Sequence, residues 1–201
     1  KPKDAIKHPN WNMGKKISID SSTLMNKVFE VIEAQKIFGI NFKKFKVLTH
    51  PKSYVHAIIK FRNGLTKILI HDTDMKIPIF NSIFNNYNNH LKTKKLDYKK
   101  INNLDFNKID SNKFPLIKIL NRLNNKNTLF ETVLVSANDE LVDLFLKGKI
   151  KFTDITRILI KILNNKKYKL YQQITPNNYK QILSLDEYVR LKTRALSVLS
   201  K

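Results

Sequence analysis

The chain has 201 residues, enough for one large domain or two small ones, and its lack of cysteine excludes disulfides and thiolate metal sites. Its formal net charge of +22 is typical of proteins that bind polyanions, but only 5 of the 38 basic residues are Arg, the residue suited to bidentate recognition of bases and phosphates. The surplus of Lys, Asn and Ile indicates an AT-rich genome rather than a nucleic-acid partner.

The first predicted elements are a loop, a short strand, a turn and a helix. A loop around the single Trp precedes the β-rich run 16–19, and small hydroxyl residues at 21–23 form the turn. A helical pattern then extends from about residue 22 to 38 and is expected to end at Gly39.

A β-hairpin and a short helix are predicted next. Alternating apolar segments at 55–61 and 65–70 flank Asn63-Gly64, which is a good hairpin signal. Residues 79–84 have the pattern of a short helix. The stretch 85–110 is rich in Asn and Lys and predicts a linker or a surface excursion.

Beyond residue 110 the apolar residues recur with a helical period. Gly148 is expected to end one helix, Thr153 to cap the next, and a last helix is expected from Ser184 to near Leu199. The clearest apolar stripe consists of Ile155, Ile158, Leu159, Ile162 and Leu163. The predicted fold class is therefore α+β, with a mixed sheet covered by helices on one face and a C-terminal four-helix bundle.

Three polar side chains are expected to share one edge of the first long helix. Asn26 and Glu30 are four residues apart, and Lys27 and Glu30 are three apart. A helix start offers N–H groups and a positive dipole end to an anion, and a carboxylate suits a divalent metal. The alternative is a capped helix with a solvated first turn, in which Lys27 and Glu30 form an ordinary ion pair.

The ungapped run HPNWNMGKKISIDSSTLMNKVFEVIEA, at residues 8–34, closely resembles the 1-deoxy-D-xylulose 5-phosphate (DXP) reductoisomerase family. The family pattern is approximately HPNWxMGxKIxxDSATxxNKxxExIEA, and Ser22 stands where Ala is usual. The resemblance implies an enzyme that uses NADPH and a divalent metal. Because the sequence shows no Gly-rich dinucleotide turn and no Asp-x-Glu pair before the motif, it implies a C-terminal portion that is inactive alone.

The resemblance also assigns roles to residues. Lys27 and Glu30 would be catalytic, with Glu30 the ligand of Mg²⁺ or Mn²⁺, and Met13 and Gly14 would contact NADPH. Ser21, Asn26 and Lys27 would hold the substrate phosphate. The residues expected to bind the phosphorylated sugar are His8, Trp11, Ser21, Asn26, Lys27, Ser53 and His56.

Some of these positions have plainer interpretations. Trp11 would close a mobile lid with His8 by resemblance, but composition alone favours a Trp that plugs the edge of a core. Most pairs of His at this spacing are structural or exposed, and we favour a structural role for His50 and a pocket role for Ser53 and His56.

Three residues besides Ser22 are noted as departures from the family pattern. Thr73 stands where Pro is usual, before Asp74-Met75, and Val135 and Asp139 replace Asn and Glu in a later Leu-Asn-Ala-Ala-Asn-Glu segment. The first change puts one wall of the pocket in question. The other two predict either a rearranged supporting network or a diverging copy.

The resemblance further implies an organisation and partners. Residues 1–85 would be a catalytic portion with the substrate lid, 86–110 a linker, and 111–201 the helical bundle. We expect a homodimer in the bacterial cytoplasm, rather than in a plastid-type organelle, with no specific nucleic acid and no membrane partner. The rival hypotheses are a lysine-rich nucleic-acid-binding module and a non-catalytic scaffold.

Overall fold

A computed structural model describes residues 1–6, 13–84, 89–102 and 104–198 of the chain. These residues form two compact units. The helical unit contains residues 1–6, 13–46 and 110–198, and the hairpin unit contains residues 47–84, 89–102 and 104–109. His8 and Trp11 lie outside the described residues, so their predicted lid role stays a prediction.

Helices dominate the described residues. In chain order they are α1 (Pro2–Ala5), α2 (Lys15–Ser22), α3 (Met25–Phe38), α4 (Lys76–Ile83), α5 (Tyr98–Asn102), α6 (Phe130–Leu146), α7 (Phe152–Asn164), α8 (Lys166–Lys169) and α9 (Tyr179–Val198). The strands are β1 (Leu48–Thr49), β2 (Val55–Lys60), β3 (Thr66–Ile70) and β4 (Asn107–Lys108). Short 3-10 helices occupy Phe42–Lys44, Pro115–Arg122 and Leu170–Gln173.

The core of the helical unit is shared by α2, α3, α6, α7 and α9. Ile19, Met25 and Val28 are fully buried in the same cluster as the long C-terminal helices. The predicted stripe of α7 is confirmed, since all five of its residues are buried there. Because the apolar faces of α2 and α3 are covered within this core, residues 13–46 belong with the bundle. The boundary expected at residue 85 therefore does not separate the two units, and the division into functional domains stays a prediction.

The hairpin unit contains two antiparallel strand pairs. β2 pairs with β3, with Ile58 opposite Ile68, and Gly64 adopts a φ of +89° in the connecting turn, so the predicted hairpin is confirmed. β1 pairs with β4, with Leu48 opposite Lys108. The stretch interpreted as a linker thus supplies a strand and the helix α5 to this unit.

The prediction of a strand at residues 16–19 is wrong, because these residues belong to α2. Ile17 and Ile19 would lie on one face of a strand, but Ile17 is 47% exposed and Ile19 is 0% exposed, as expected when a helix turns them apart. The Ser18 hydroxyl also donates to the carbonyl of Gly14, one helical turn back, at 3.0 Å. Tertiary burial of Ile19 overrides the local β propensity.

Several helix ends differ from their predicted positions. α3 begins at Met25 rather than near Ser22, and α9 begins at Tyr179, five residues before the expected start. Thr153 does not cap α7; the Asp154 carboxylate accepts a hydrogen bond from the Lys151 amide at 2.9 Å instead. The expected ends at Gly39 and Gly148 are confirmed, and both glycines have positive φ.

The predicted α+β class is confirmed. Within the described residues, however, the strands form two separate antiparallel pairs rather than one mixed sheet. The first of the four predicted C-terminal helices is the 3-10 segment Pro115–Arg122, and the others correspond to α6, α7 and α9. None of the helices in the described ranges combines the length and apolarity needed to cross a bilayer.

Candidate active site

The predicted phosphate residues lie on either side of a break between two helices. Ser21 is near the end of α2, and Asn26 and Lys27 are in the first turn of α3. Leu24 adopts φ 59° and ψ 16°, a left-handed conformation that costs a non-glycine residue about 1–2 kcal/mol. Its amide donates to the carbonyl of Ser21 at 3.1 Å, and its carbonyl accepts from the amide of Lys27 at 3.2 Å. Such strain persists where the surroundings fix it, and it is concentrated at functional sites.

The surroundings of Leu24 explain why the chain breaks there. Ile19 and Met25 are fully buried on either side of the break. The Thr23 hydroxyl is also buried and lies 3.3 Å from the carbonyl of Ile19 and 3.2 Å from that of Asp20. The Ser22 and Thr23 hydroxyl groups therefore mainly complete the end of α2. Thr23 Oγ1 also accepts from the Met25 amide, at the start of α3, at 3.4 Å.

The predicted edge of α3 is confirmed. Lys27 Nζ lies 2.9 Å and 2.8 Å from the two carboxylate oxygens of Glu30, and Asn26 Nδ2 lies 3.5 Å from Glu30 Oε1. The Lys27 and Glu30 side chains are 40% and 53% exposed, so they are accessible to a ligand. This ion pair is expected both of a phosphate and metal site and of an ordinary helix surface, and it does not decide between them.

The Asn26 amide differs from an ordinary exposed side chain. Its Oδ1 atom is buried and has no hydrogen-bond partner among the described residues. A buried acceptor without a donor is costly, and such atoms usually have a ligand, an ion or a water as partner. The Asn26 amide thus has its nitrogen near the Glu30 carboxylate and a buried oxygen without a partner.

The predicted NADPH contacts lie at the start of α2. Met13 is half-buried, and Gly14 is the residue that precedes the first turn of the helix. The Gly14 carbonyl accepts hydrogen bonds from both the amide and the hydroxyl of Ser18.

Ser53 and His56 belong to the hairpin unit. Ser53 has a φ of 50°, so it is a second non-glycine residue in the left-handed region. The His56 ring stacks on the His71 ring with centroids 3.6 Å apart, and His56 Nε2 lies 3.0 Å from the His71 carbonyl. Because a carbonyl can only accept, this contact places a hydrogen on Nε2 of His56. Sequence reasoning missed His71, which no motif marks.

His50 has a structural setting, as predicted. Its Nδ1 atom lies 3.3 Å from the Asp105 carbonyl, and its ring centroid lies 5.4 Å from that of Phe106. Both partners lie in the stretch interpreted as a linker.

A buried polar network lies directly before Ser21. The Asp20 carboxylate accepts from Asn138 Nδ2 at 2.8 Å and from Lys16 Nζ at 2.9 Å. Lys16 also pairs with Asp139 at 2.9 Å. Burial alone would lower the pKa of Lys16, but the hydrogen bonds with Asp20 and Asp139 outweigh it and raise this pKa. The sequence marked Asn138 and Asp139 only as part of a motif segment.

Comparison with known proteins identifies the family. The protein-family model described as "DXP reductoisomerase C-terminal domain" matches residues 70–192. A second family model, described as "1-deoxy-D-xylulose 5-phosphate reductoisomerase C-terminal domain", matches residues 1–38. The chain belongs to the DXP reductoisomerase family. The resemblance noted in the sequence is thereby confirmed.

Curated relatives extend beyond the matched region. The DXP reductoisomerase of Pelagibacter ubique is 58% identical over 196 residues, which are 98% of this chain and 50% of that protein. The enzyme of Clostridium botulinum is 42% identical over 192 residues, or 94% of this chain and 48% of that protein. The chain thus spans about half the length of these relatives.

Solved reductoisomerase structures have the same fold. A DOX-P reductoisomerase in complex with NADPH, fosmidomycin and magnesium has a TM-score of 0.87 and 33% identity, covering 98% of this chain and 50% of its own. The Zymomonas mobilis enzyme in complex with NADPH has a TM-score of 0.79 and 31% identity, covering 98% and 49%.

Several acidic residues of α6 and α9 are engaged in ion pairs. Asp139 pairs with Lys16 and Arg190, Asp186 pairs with Arg190, and the Glu140 carboxylate pairs with Arg194. No group of three His, Cys, Asp or Glu that could hold a metal occurs within the described part of the chain. Glu30 suits a hard cation as one ligand of a larger set.

The departures from the reductoisomerase pattern have different structural settings. Asp139 forms ion pairs with Lys16 and Arg190, and Val135 on the same helix is 39% exposed. Thr73 is half-buried in the hairpin unit. At position 139, the Asp side chain, which is shorter than the Glu of the family pattern, takes part in the ion pairs that join α6 to α2 and α9.

Proposed function

We propose that this chain is the catalytic and C-terminal portion of a DXP reductoisomerase. The reaction converts 1-deoxy-D-xylulose 5-phosphate to 2-C-methyl-D-erythritol 4-phosphate in non-mevalonate isoprenoid biosynthesis. A skeletal rearrangement gives an aldehyde, which a hydride from NADPH reduces. The observation that carries the proposal is that the polar edge of α3 lies within residues 1–38, the stretch that matches the C-terminal domain of this family.

In this proposal the edge of α3 binds the substrate phosphate. Lys27 supplies an ammonium, Asn26 an amide NH₂ and Ser21 a hydroxyl, and a dianion uses all three kinds of donor well. Two consecutive backbone hydrogen bonds join Ser21 to Leu24 and Leu24 to Lys27, so the backbone that carries these donors has a defined conformation. Binding energy from this remote group orients the part of the substrate that reacts.

Glu30 supplies one carboxylate to a divalent metal in the proposal. The residues present fit such an ion in part: Glu30 offers an exposed carboxylate, which suits a hard divalent cation as one ligand of a larger set. Mg²⁺ or Mn²⁺, when bound, polarises the substrate oxygens. Within this chain, the Lys27 ammonium competes with the metal for the Glu30 carboxylate until the ammonium binds the substrate phosphate instead.

The remaining roles are proposed from the family pattern and the local geometry. The family pattern alone proposes Ser53 and His56 as substrate-binding residues, and within the hairpin unit the His71 carbonyl fixes the orientation and tautomer of the His56 ring. Met13 and Gly14 contact NADPH, and His8 and Trp11 cover the substrate. The homodimer and the bacterial cytoplasmic location stay predictions.

The test is the activity of a fusion protein. This chain is joined to the half of the Pelagibacter ubique enzyme that lies outside its match, and NADPH oxidation is measured with DXP and Mg²⁺. Turnover is expected for the fusion, and Lys27→Met is expected to raise KM for DXP. Lys147→Met, which alters another exposed lysine of an ion pair, is the control and should change neither constant. A folded fusion without turnover contradicts the proposal.

A further inference from the structure

Asp20 is a carboxylate buried where the proposed phosphate site begins. It is 2% exposed, and its partner Asn138 is 0% exposed. Asp20 is held from its own helix by Lys16 and from α6, 118 residues away in sequence, by Asn138. A carboxylate buried in this way is costly unless its partners are well placed, so its position is narrowly defined.

The Asp20 contacts continue through a chain of polar side chains. Lys16 bridges Asp20 on α2 to Asp139 on α6, and Asp139 accepts from Arg190 on α9 at 3.3 Å. The Asp186 carboxylate, also on α9, accepts from the Ser136 hydroxyl of α6 at 2.6 Å. These ion pairs are partly exposed and add little net stability, but each one requires a definite geometry. They therefore fix α2 relative to the bundle within the helical unit.

Local hydrogen bonds also span the stretch of backbone between Asp20 and Lys27. The Thr23 hydroxyl donates to the Asp20 carbonyl at 3.2 Å, the Leu24 amide to Ser21, and the Lys27 amide to Leu24. The left-handed Leu24 lies in the middle of this path, where the backbone would relax if the end of α2 shifted.

We propose that Asp20 and Asn138 are positioning residues for the anion site of α3. Their hydrogen bond anchors the end of α2 to α6 and thereby holds Ser21, Asn26 and Lys27 at the spacing that a phosphate requires. This inference rests on the proposed function, since it concerns the same site. It gives the motif segment around Asn138 a role in substrate binding, although Asn138 itself contacts no ligand.

The test uses the fusion with the Pelagibacter ubique half and inorganic phosphate. Amide NMR shifts of residues 21–27 are followed during a phosphate titration, and thermal unfolding is recorded for each variant. Asn138→Leu keeps a similar volume but removes the donor, and it is expected to weaken the phosphate Kd by about tenfold. The exchange Asp20→Asn with Asn138→Asp restores a carboxylate–amide pair and is expected to recover the parental Kd within about threefold.

Controls separate positioning from stability. Glu140→Gln removes a buried carboxylate of the same helix that pairs with Arg194 and not with α2, so it should lower the unfolding temperature and leave the phosphate Kd unchanged. A folded Asn138→Leu variant with the parental Kd overturns the inference, and so does a folded exchange variant with a Kd as weak as that of Asn138→Leu.

Failure of the proposed function is recognisable in the same titration. If the parent shows no saturable shifts, or if Lys27→Met binds phosphate as the parent does, α3 is not a phosphate site and both ideas fall. If Lys27→Met abolishes binding but Asn138→Leu leaves it unchanged, only the positioning role is wrong.

Discussion

Replacing Glu30 by Gln separates a metal ligand from a helix-surface residue. The substitution keeps the volume and removes the charge. Its ion pair with Lys27 is short, at 2.8 Å, but the two side chains are 40% and 53% exposed, so its loss should cost at most about 0.5 kcal/mol. For a protein of this size that corresponds to an unfolding temperature lower by about 2 °C or less.

The effect on metal binding should be far larger. A neutral amide is a poorer ligand for a hard cation than a carboxylate, so the metal concentration for half-maximal activity of the fusion should rise by more than about tenfold. The assay is a Mg²⁺ titration of turnover for the parent, Glu30→Gln and Lys27→Met, together with thermal unfolding. Lys27→Met should alter the KM for DXP and leave the metal dependence nearly unchanged. Parental turnover of Glu30→Gln at limiting metal would refute the ligand role and favour the helix-surface interpretation.

Three further predictions concern the chain as a whole. The purified 201-residue chain should not oxidise NADPH with DXP, because its described residues contain no group of three His, Cys, Asp or Glu that could hold the metal; metal-dependent turnover would contradict this. Binding to duplex DNA, measured by fluorescence anisotropy, should be weak, independent of sequence and lost at moderate salt, and specific binding at physiological salt would favour the nucleic-acid hypothesis. The hydrogen bond from Arg190, with a smaller contribution from Ser136, holds the pKa of Asp186 below its usual value despite the opposing effect of burial. The stabilisation from Asp186 is therefore present above about pH 4 and is lost as the pH falls through the folded-state pKa. In urea unfolding, the free energy of unfolding of Asp186→Asn should fall less than that of the parent between about pH 5 and pH 2. An equal fall for both proteins would count against the pairing of Asp186 with Arg190.

Patterns that depend on near neighbours in sequence were predicted well. The stripe of α7, the helix ends at Gly39 and Gly148 and the hairpin around Gly64 all follow from local periodicity or from a required positive φ. The edge formed by Lys27 and Glu30 follows from helix geometry in the same way.

Features that depend on distant contacts could not be predicted. The run 16–19 has β-forming residues, yet it is helical because Ile19 packs into the core of the bundle. The bond between Asp20 and Asn138 and the stacking of His56 on His71 join residues that no spacing rule connects. The left-handed conformation of Leu24 likewise follows from burial on both sides of it and has no glycine to signal it.

The most direct test of the proposed site is the position of the metal in the fusion protein. A crystal grown with Mn²⁺ and DXP would show the ion by its anomalous scattering. The proposal predicts a peak within about 2.5 Å of a Glu30 carboxylate oxygen, with Lys27 turned from Glu30 toward the substrate phosphate. A Mn²⁺ ion bound elsewhere, with the ion pair of Lys27 and Glu30 intact, would contradict it.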